Sequence, residues 1–162
     1  MAMTIYMKVT GKNQGEIKGD CNQQGREGLI MCYQMDHAVE IPKDTHTGLP
    51  TGQRIHLPLK VITHMGKQTP GLFQACCSGE HADVEITFFR ISEKGQEEKY
   101  FTIKLKEAII VNSREFFPYT FLEENKPFKH MQEISFTYED IVWTYTPDGI
   151  EAEDNWKAPK AS

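Results

Sequence analysis

No stretch of the chain stays apolar for anything near ~18 residues, which removes a transmembrane helix. The opening MAMTIYMKVTGKNQG has no basic leader, no apolar h-region and no small-residue cleavage site. No signal peptide is therefore expected, and folding in the cytosol is. Basic residues never run more than two together, and 18 Lys and Arg face 23 Asp and Glu for a net charge of −5. A general grip on nucleic acid through a basic surface is excluded on that balance. Cysteine is sparse, with only Cys21, Cys32, Cys76 and Cys77. These fit reduced thiols, some of them in the core. A disulfide between the adjacent Cys76 and Cys77 would need strained geometry.

Chemical motifs are also missing. Gly11, Gly15 and Gly19 are spaced four apart, but no helix and no Gly-Lys-Ser/Thr follows, so they read as turn glycines and not as a phosphate cradle. No Gly-x-Ser-x-Gly elbow occurs. Cys76 and Cys77 fall at the C-terminal end of a predicted helix, where the dipole disfavours a thiolate nucleophile. Cys76, Cys77, His81 and Asp83 are close in sequence, yet neighbouring cysteines cannot easily point at one ion, so no metal site is expected. The tandem acids Glu97-Glu98, Glu123-Glu124 and Glu139-Asp140 read as solvated turns, because successive strand residues face opposite ways. His37, on an apolar strand face, reads as a hydrogen-bonded core residue. No catalytic residue and no cofactor is expected.

What the chain does have is period-two alternation, which is the signature of half-buried strands. Ile5, Met7 and Val9 share one face, and Leu29, Met31, Tyr33, Met35, Val39 and Ile41 share another. Ile55, Leu57, Leu59 and Val61 repeat the pattern, as do Val84, Ile86 and Phe88, then Phe101, Ile103 and Leu105. Near the end the apolar set changes parity, from Ile134, Phe136 and Tyr138 to Ile141, Trp143 and Tyr145. An inserted residue would do this, so a β-bulge is predicted at Glu139–Asp140. One short helix is predicted, with Thr69 as its cap, Pro70 in its first turn, Gly79 just past its end, and Leu72, Phe73 and Cys76 on its buried face. Pro58 is expected to blunt a sheet rim. The polar stretch from Lys43 to Arg54 separates two strong strands and is too long for a hairpin turn, which marks it as functional or mobile. Residues 151–162 form a polar, acidic tail expected to fray.

The length suits one core, and the elements imply a mainly β domain, a single barrel or sandwich over residues 1–150 with one short helix and an extended loop. Read from the residues alone, three functions stay open: a self-assembling subunit, a small-ligand-binding barrel, and a hydrolase whose site is scattered in sequence.

Several ordered pieces together resemble the haemolysin-coregulated protein (Hcp) family, the tube subunit of type VI secretion systems. They are Ile5-Tyr6-Met7-Lys8-Val9, Ile17-Lys18-Gly19-Asp20, Thr47-Gly48 through Thr51-Gly52-Gln53-Arg54-Ile55-His56 into Leu57-Pro58-Leu59, and Cys77 to Glu80. Tyr100 to Leu105, Glu133 to Tyr138 and Trp143-Thr144-Tyr145 complete the set. The resemblance implies a barrel protomer that closes into a homohexameric ring. Rings stack into a tube inside a contractile sheath, beside baseplate and spike proteins, and are expelled with effector proteins carried in the lumen. It implies no enzyme activity, no cofactor, no nucleic acid and no membrane insertion. The protein would be cytoplasmic before assembly and would reach the extracellular space or a target cell through the type VI machinery. The extended loop would make contacts between rings, through Thr47, Gly48, Leu49, Thr51, Gly52 and Arg54. Cys21 after Asp20, where the family often has serine, and the Cys76-Cys77 pair are departures. A fused toxin domain, which some relatives carry, is not expected in a chain ending at Ser162. A ring of identical subunits needs a heterologous interface, one edge of the domain complementing the other.

Overall fold

The computed structural model of the chain describes residues 3–156. Its strands are β1 (Thr4–Gly11), β2 (Gly15–Ile17), β3 (Ile30–Asp36), β4 (Val39–Glu40), β5 (Ile55–His56), β6 (Leu59–His64), β7 (His81–Ile91), β8 (Glu97–Phe116), β9 (Met131–Thr137), β10 (Asp140–Tyr145) and β11 (Ile150–Asn155). The helix α1 (Thr69–Ser78) lies between β6 and β7. Strands β7, β1, β3, β6, β9 and β8 pair in that order, and β8 closes the barrel on β7. β8 is long enough to serve twice: its second half pairs with β9 and its first half with β10, which carries β11 outside it.

The alternation builds the core. Met7, Val9, Leu59, Val61, Ile86, Leu105, Ile134 and Phe136 point into the barrel and are fully buried. Leu72 and Ala75 of α1 join them, with Cys76 packed alongside and the expected Phe73 only half-buried outside the cluster, so the helix is held by its apolar face and not by its own propensity. All four cysteines are free; Cys32 is in the core, where burial pushes its thiol up to about 12.

Several local expectations are corrected. In β3 the inward residues are Ile30 and Cys32, because they face Met7 and Ile5 of β1. A bulge between Cys32 and Gln34 then turns Met35 toward the core, leaving Tyr33, Val39 and Ile41 exposed. Ile55 and Leu57 are exposed as well, so only Leu59 and Val61 of that run are core. The parity change near residue 139 is real, but no bulge separates the strand from β8: Asp140 faces Lys106 and Thr137 faces Ile109, in one continuous register. Register survives because β8 changes face at the same level, at Glu107, whose φ of 53° is the positive value among the described non-glycine residues.

Thr69 does not cap the helix. Gln68 holds the cap position, and the Thr69 hydroxyl instead accepts from Gly66 N and donates to Gln132. Gly79 ends the helix at φ 70°, as its sequence position suggests. Pro58 blunts no rim, since β6 is paired on both sides. The tail does not fray at 151: β11 is laddered onto β10 through Asn155, and residues 157–162 lie outside those described.

Candidate interaction arm

The segment from His37 to Pro58 is a hairpin arm and not an irregular loop. β4 pairs with β5, a bridge joins Lys43 to Pro50, and Thr51 N donates to Pro42 O. Asp44 organises the tip. Its carboxylate accepts from His46 N at 2.7 Å and Thr47 N at 3.0 Å, and these backbone bonds, Thr47 first, hold its pKa below the ordinary value. Gly48 N returns to Asp44 O at 2.9 Å with φ 73°, a left-handed turn that suits glycine. Leu49 follows with its side chain 64% exposed. Thr47, Gly48 and Leu49 therefore sit together at the tip, with Thr51 and Gly52 on the returning limb.

Arg54 stands apart from them. At the root of the arm its guanidinium makes a two-point contact with Asp154 of β11, Nε to Oδ2 at 2.6 Å and a terminal nitrogen to Oδ1 at 2.9 Å. The same end also donates to Asn155 O. Residues to which sequence reasoning assigned no part in the arm complete the root. His56 Nε2 lies 2.6 Å from Asp154 Oδ2, His56 Nδ1 lies 2.7 Å from the Tyr138 hydroxyl, and that hydroxyl lies 2.7 Å from His37 Nε2. A carboxylate only accepts, so His56 Nε2 donates to it. In the tautomer that leaves Nδ1 without a proton, Nδ1 accepts from Tyr138 O–H, whose oxygen in turn accepts from His37 Nε2–H. Every proton in the chain points the same way.

The electrostatics follow from that geometry. Arg54 above all, then His56, holds the Asp154 carboxyl down at about 2. Burial raises the Tyr138 hydroxyl, and the Asp154 charge adds to it. Burial lowers His37, with His56 a second cause. His37 was legible as a hydrogen-bonded residue, but it is half-buried just past the end of β3 and not part of the core. Its link to Asp154 was not legible, since partners about a hundred residues apart share no local pattern.

The remaining sequence candidates are occupied structurally. His81 lies 2.8 Å from Glu107, which also takes Lys12, and Cys77 is exposed. No helix among the described residues is long and apolar enough to cross a membrane.

A closed six-stranded barrel with one packed helix and a braced, projecting hairpin defines the structural class. The family model described as "Type VI secretion system effector, Hcp" matches residues 6–145. The chain is 36% identical over 171 aligned positions to the "Major exported protein" of Pseudomonas aeruginosa, covering 99% of each. Among solved structures it superposes with TM-score 0.90 on a crystal structure of an Hcp protein, 31% identical over 97% of this chain and 99% of that one. The secreted protein Hcp3 of Pseudomonas aeruginosa gives TM-score 0.80 and 31% identity over 97% of this chain and 100% of that one. The chain belongs to the Hcp family of type VI secretion proteins.

Proposed function

We propose that this chain is the tube subunit of a type VI secretion system. Copies close into a hexameric ring, rings stack into a conduit within the sheath, and the stack is expelled with effectors that ride in its lumen. The observation that carries this reading is the arm: it is paired into a hairpin of its own, braced at the root, and keeps apolar side chains exposed along its limbs and at Leu49 of an otherwise polar tip. Val39, Ile41, Leu49, Ile55 and Leu57 all remain in water, although a braced hairpin could carry polar residues there at no cost to the fold. An ordered projection that keeps apolar side chains in water suits one half of a heterologous joint between identical subunits.

The small-ligand reading meets a filled interior. Met7, Ile86, Leu105, Ile134 and Phe136 occupy the barrel axis at 0–1% exposure. Cargo would then travel in the space enclosed by six barrels and not inside one.

Size-exclusion with light scattering, followed by negative-stain imaging, tests the proposal. Six-fold annular particles are expected at tens of micromolar. A monodisperse monomer across protein and salt concentrations would overturn it.

A further inference from the structure

One oxygen fastens both limbs of the arm to the barrel. The Tyr138 hydroxyl, at the corner between β9 and β10, lies 2.7 Å from His37 Nε2 and 2.7 Å from His56 Nδ1. His37 follows β3 and opens the first limb, whereas His56 belongs to β5 in the second. Among the described residues, only the second limb has a further side-chain hydrogen bond to the barrel, through Arg54 and His56 on Asp154. Tyr138 is 5% exposed, so bulk water does not replace a bond that its hydroxyl loses.

A hydroxyl has one hydrogen to give and two lone pairs with which to receive. That limits how many protons the two rings can take. With none added, His37 Nε2–H gives to the hydroxyl and the hydroxyl gives to His56 Nδ1. One added proton breaks no hydrogen bond. On His37 it sits at Nδ1, outside the chain, and the chain stands. Alternatively the His37 Nε2 proton passes to the Tyr138 oxygen while the hydroxyl's own proton passes to His56 Nδ1. His56 is then the cation, the hydroxyl gives to a bare His37 Nε2, and every donor keeps an acceptor. A second proton has no such place. Both rings then aim N–H at one oxygen, the hydroxyl hydrogen has no acceptor, and two cations face each other in partial burial.

The charges around His37 do not relieve this. Asp36 and Lys60 line the cleft beside it, but they oppose each other across β3 and β6. Glu40 is on the arm itself, in register with Ile55. Trp143 holds its ring 6.5 Å away, beyond the reach of a firm cation–π contact. Arg54 and Asp154 are already paired. Burial, then the neighbouring His56, disfavours the charged form of His37.

We propose that this chain is an acid-operated hinge: it tolerates one proton and gives way at the second, freeing the first limb from Tyr138 while the second stays clamped to Asp154. The inference concerns how the arm is held and not what it meets, so it stands or falls apart from the tube reading. The clamp outlasts the same acid, because Arg54 above all keeps Asp154 ionised down to about 2. β4 remains paired with β5, so the arm turns as one body about its second limb.

Nuclear magnetic resonance on the isotope-labelled full chain, freed of filaments by sedimentation, tests this between about pH 8 and about pH 4.5. Long-range imidazole spectra count the protons on each ring. With one proton on the pair, backbone order parameters at Ile41 and Leu49 should stay near ~0.85, and with two they should fall below about 0.6. The Arg54 Nε–H should stay protected throughout. Tyr138→Phe removes only the hydroxyl and should show the loose arm already at the alkaline end. His37→Gln keeps a hydrogen-bonding amide that takes no proton, and should hold the arm firm at the acid end. An arm equally ordered across the range, or loosened as much in His37→Gln as in the native chain, would overturn the hinge. Loosening at the first proton, or a firm arm in Tyr138→Phe, would do the same. Loss of the Arg54 signal together with the arm's order would mean general unfolding in acid, and would overturn it too.

Discussion

His56 Nε2 lies 2.6 Å from Asp154 Oδ2 across 98 residues of sequence, and this contact fastens the root of the arm to the outermost strand. Arg54, two residues earlier on the same limb of the arm, grips the same carboxylate. β11 is thus more than an added edge strand. It braces a hairpin whose tip carries the exposed Leu49, and a hydrogen-bond chain held in partial burial is stiffer than its members alone.

Asp154→Asn should loosen that brace. Its folded-state pKa of about 2 lies below the ordinary 3.8, so its contribution is present above pH 4 and is lost as pH falls through about 2. At neutral pH the substitution should cost about 1 kcal/mol, a figure held down by the site's partial exposure. Amide exchange at Ile55 and His56 should quicken at fixed protein concentration. Unchanged exchange there would show that the brace is idle.

His37 sets the acid limit of the same network. Burial, and next the neighbouring His56, lower its pKa from the ordinary 6.5. In the window between 6.5 and the depressed folded value, the unfolded chain binds a proton that the native ring does not. Stability therefore falls on acidification through that window and is whole above it. Thermal melts from pH 7.5 downward should show the decline beginning near 6.5, and His37→Gln should flatten it. A melt as steep in the variant as in the native chain would place the titrating group elsewhere.

The barrel strands were legible because burial on one face leaves a period of two, plain in Ile5-Met7-Val9 and Ile103-Leu105. What misled was apolar sequence that is not core. Tyr33, Val39, Ile41, Ile55 and Leu57 keep the strand period while facing water, and sequence alone does not separate an exposed apolar strand residue from a buried one. β11 was hidden for the opposite reason. Glu151, Glu153 and Asp154 read as a solvated tail, and only the pairing of Trp143 with Ala152 and of Ile141 with Asp154 makes them a strand. The arm stood out as the long polar stretch from Lys43 to Arg54 between two strands, and family resemblance alone gave Thr47 to Leu49 a role in it. Its brace, tied by side chains from four distant segments, had no sequence signal.

Gly19 carries a steric requirement that its motif, Ile17-Lys18-Gly19-Asp20, does not explain by itself. A Cβ there would lie 2.6 Å from Leu29 O and 2.9 Å from Ile30 Cγ1, while Gly19 N bonds Gly28 O at 2.8 Å. Backbone on both sides leaves little room to give. Gly19→Ala should cost about 1–3 kcal/mol in urea unfolding, against almost nothing for the exposed neighbour Lys18→Ala. Equal midpoints for the two variants would mean that the β2–β3 connection yields freely.

Charge sets the ionic condition for stacking. Each protomer carries −5, so a hexamer would carry about −30, and rings of like charge repel most where screening is weakest. Filament yield should rise as salt increases from about 10 mM toward about 150 mM, while the rings themselves persist. A yield that fell over that range would mean that complementary charge, and not apolar contact, holds the stack.

Leu49→Asp is the sharpest test of the arm. Its side chain is 64% exposed, and only its backbone serves the turn, as donor to the Thr47 hydroxyl and acceptor from Asp44 N. Fold and ring should therefore be untouched. Replacing Gly48 as well would confuse the outcome, because its φ of 73° strains any other residue and the turn itself would shift. A carboxylate at the tip must be desolvated wherever the tip meets apolar surface, at a cost well beyond what one buried leucine contributes. Negative stain should then show normal annular particles and no filaments, and export should stop with them. Filaments and export at native levels would mean that the tip stays in solvent after assembly, and the contact between rings would have to be sought elsewhere on the barrel.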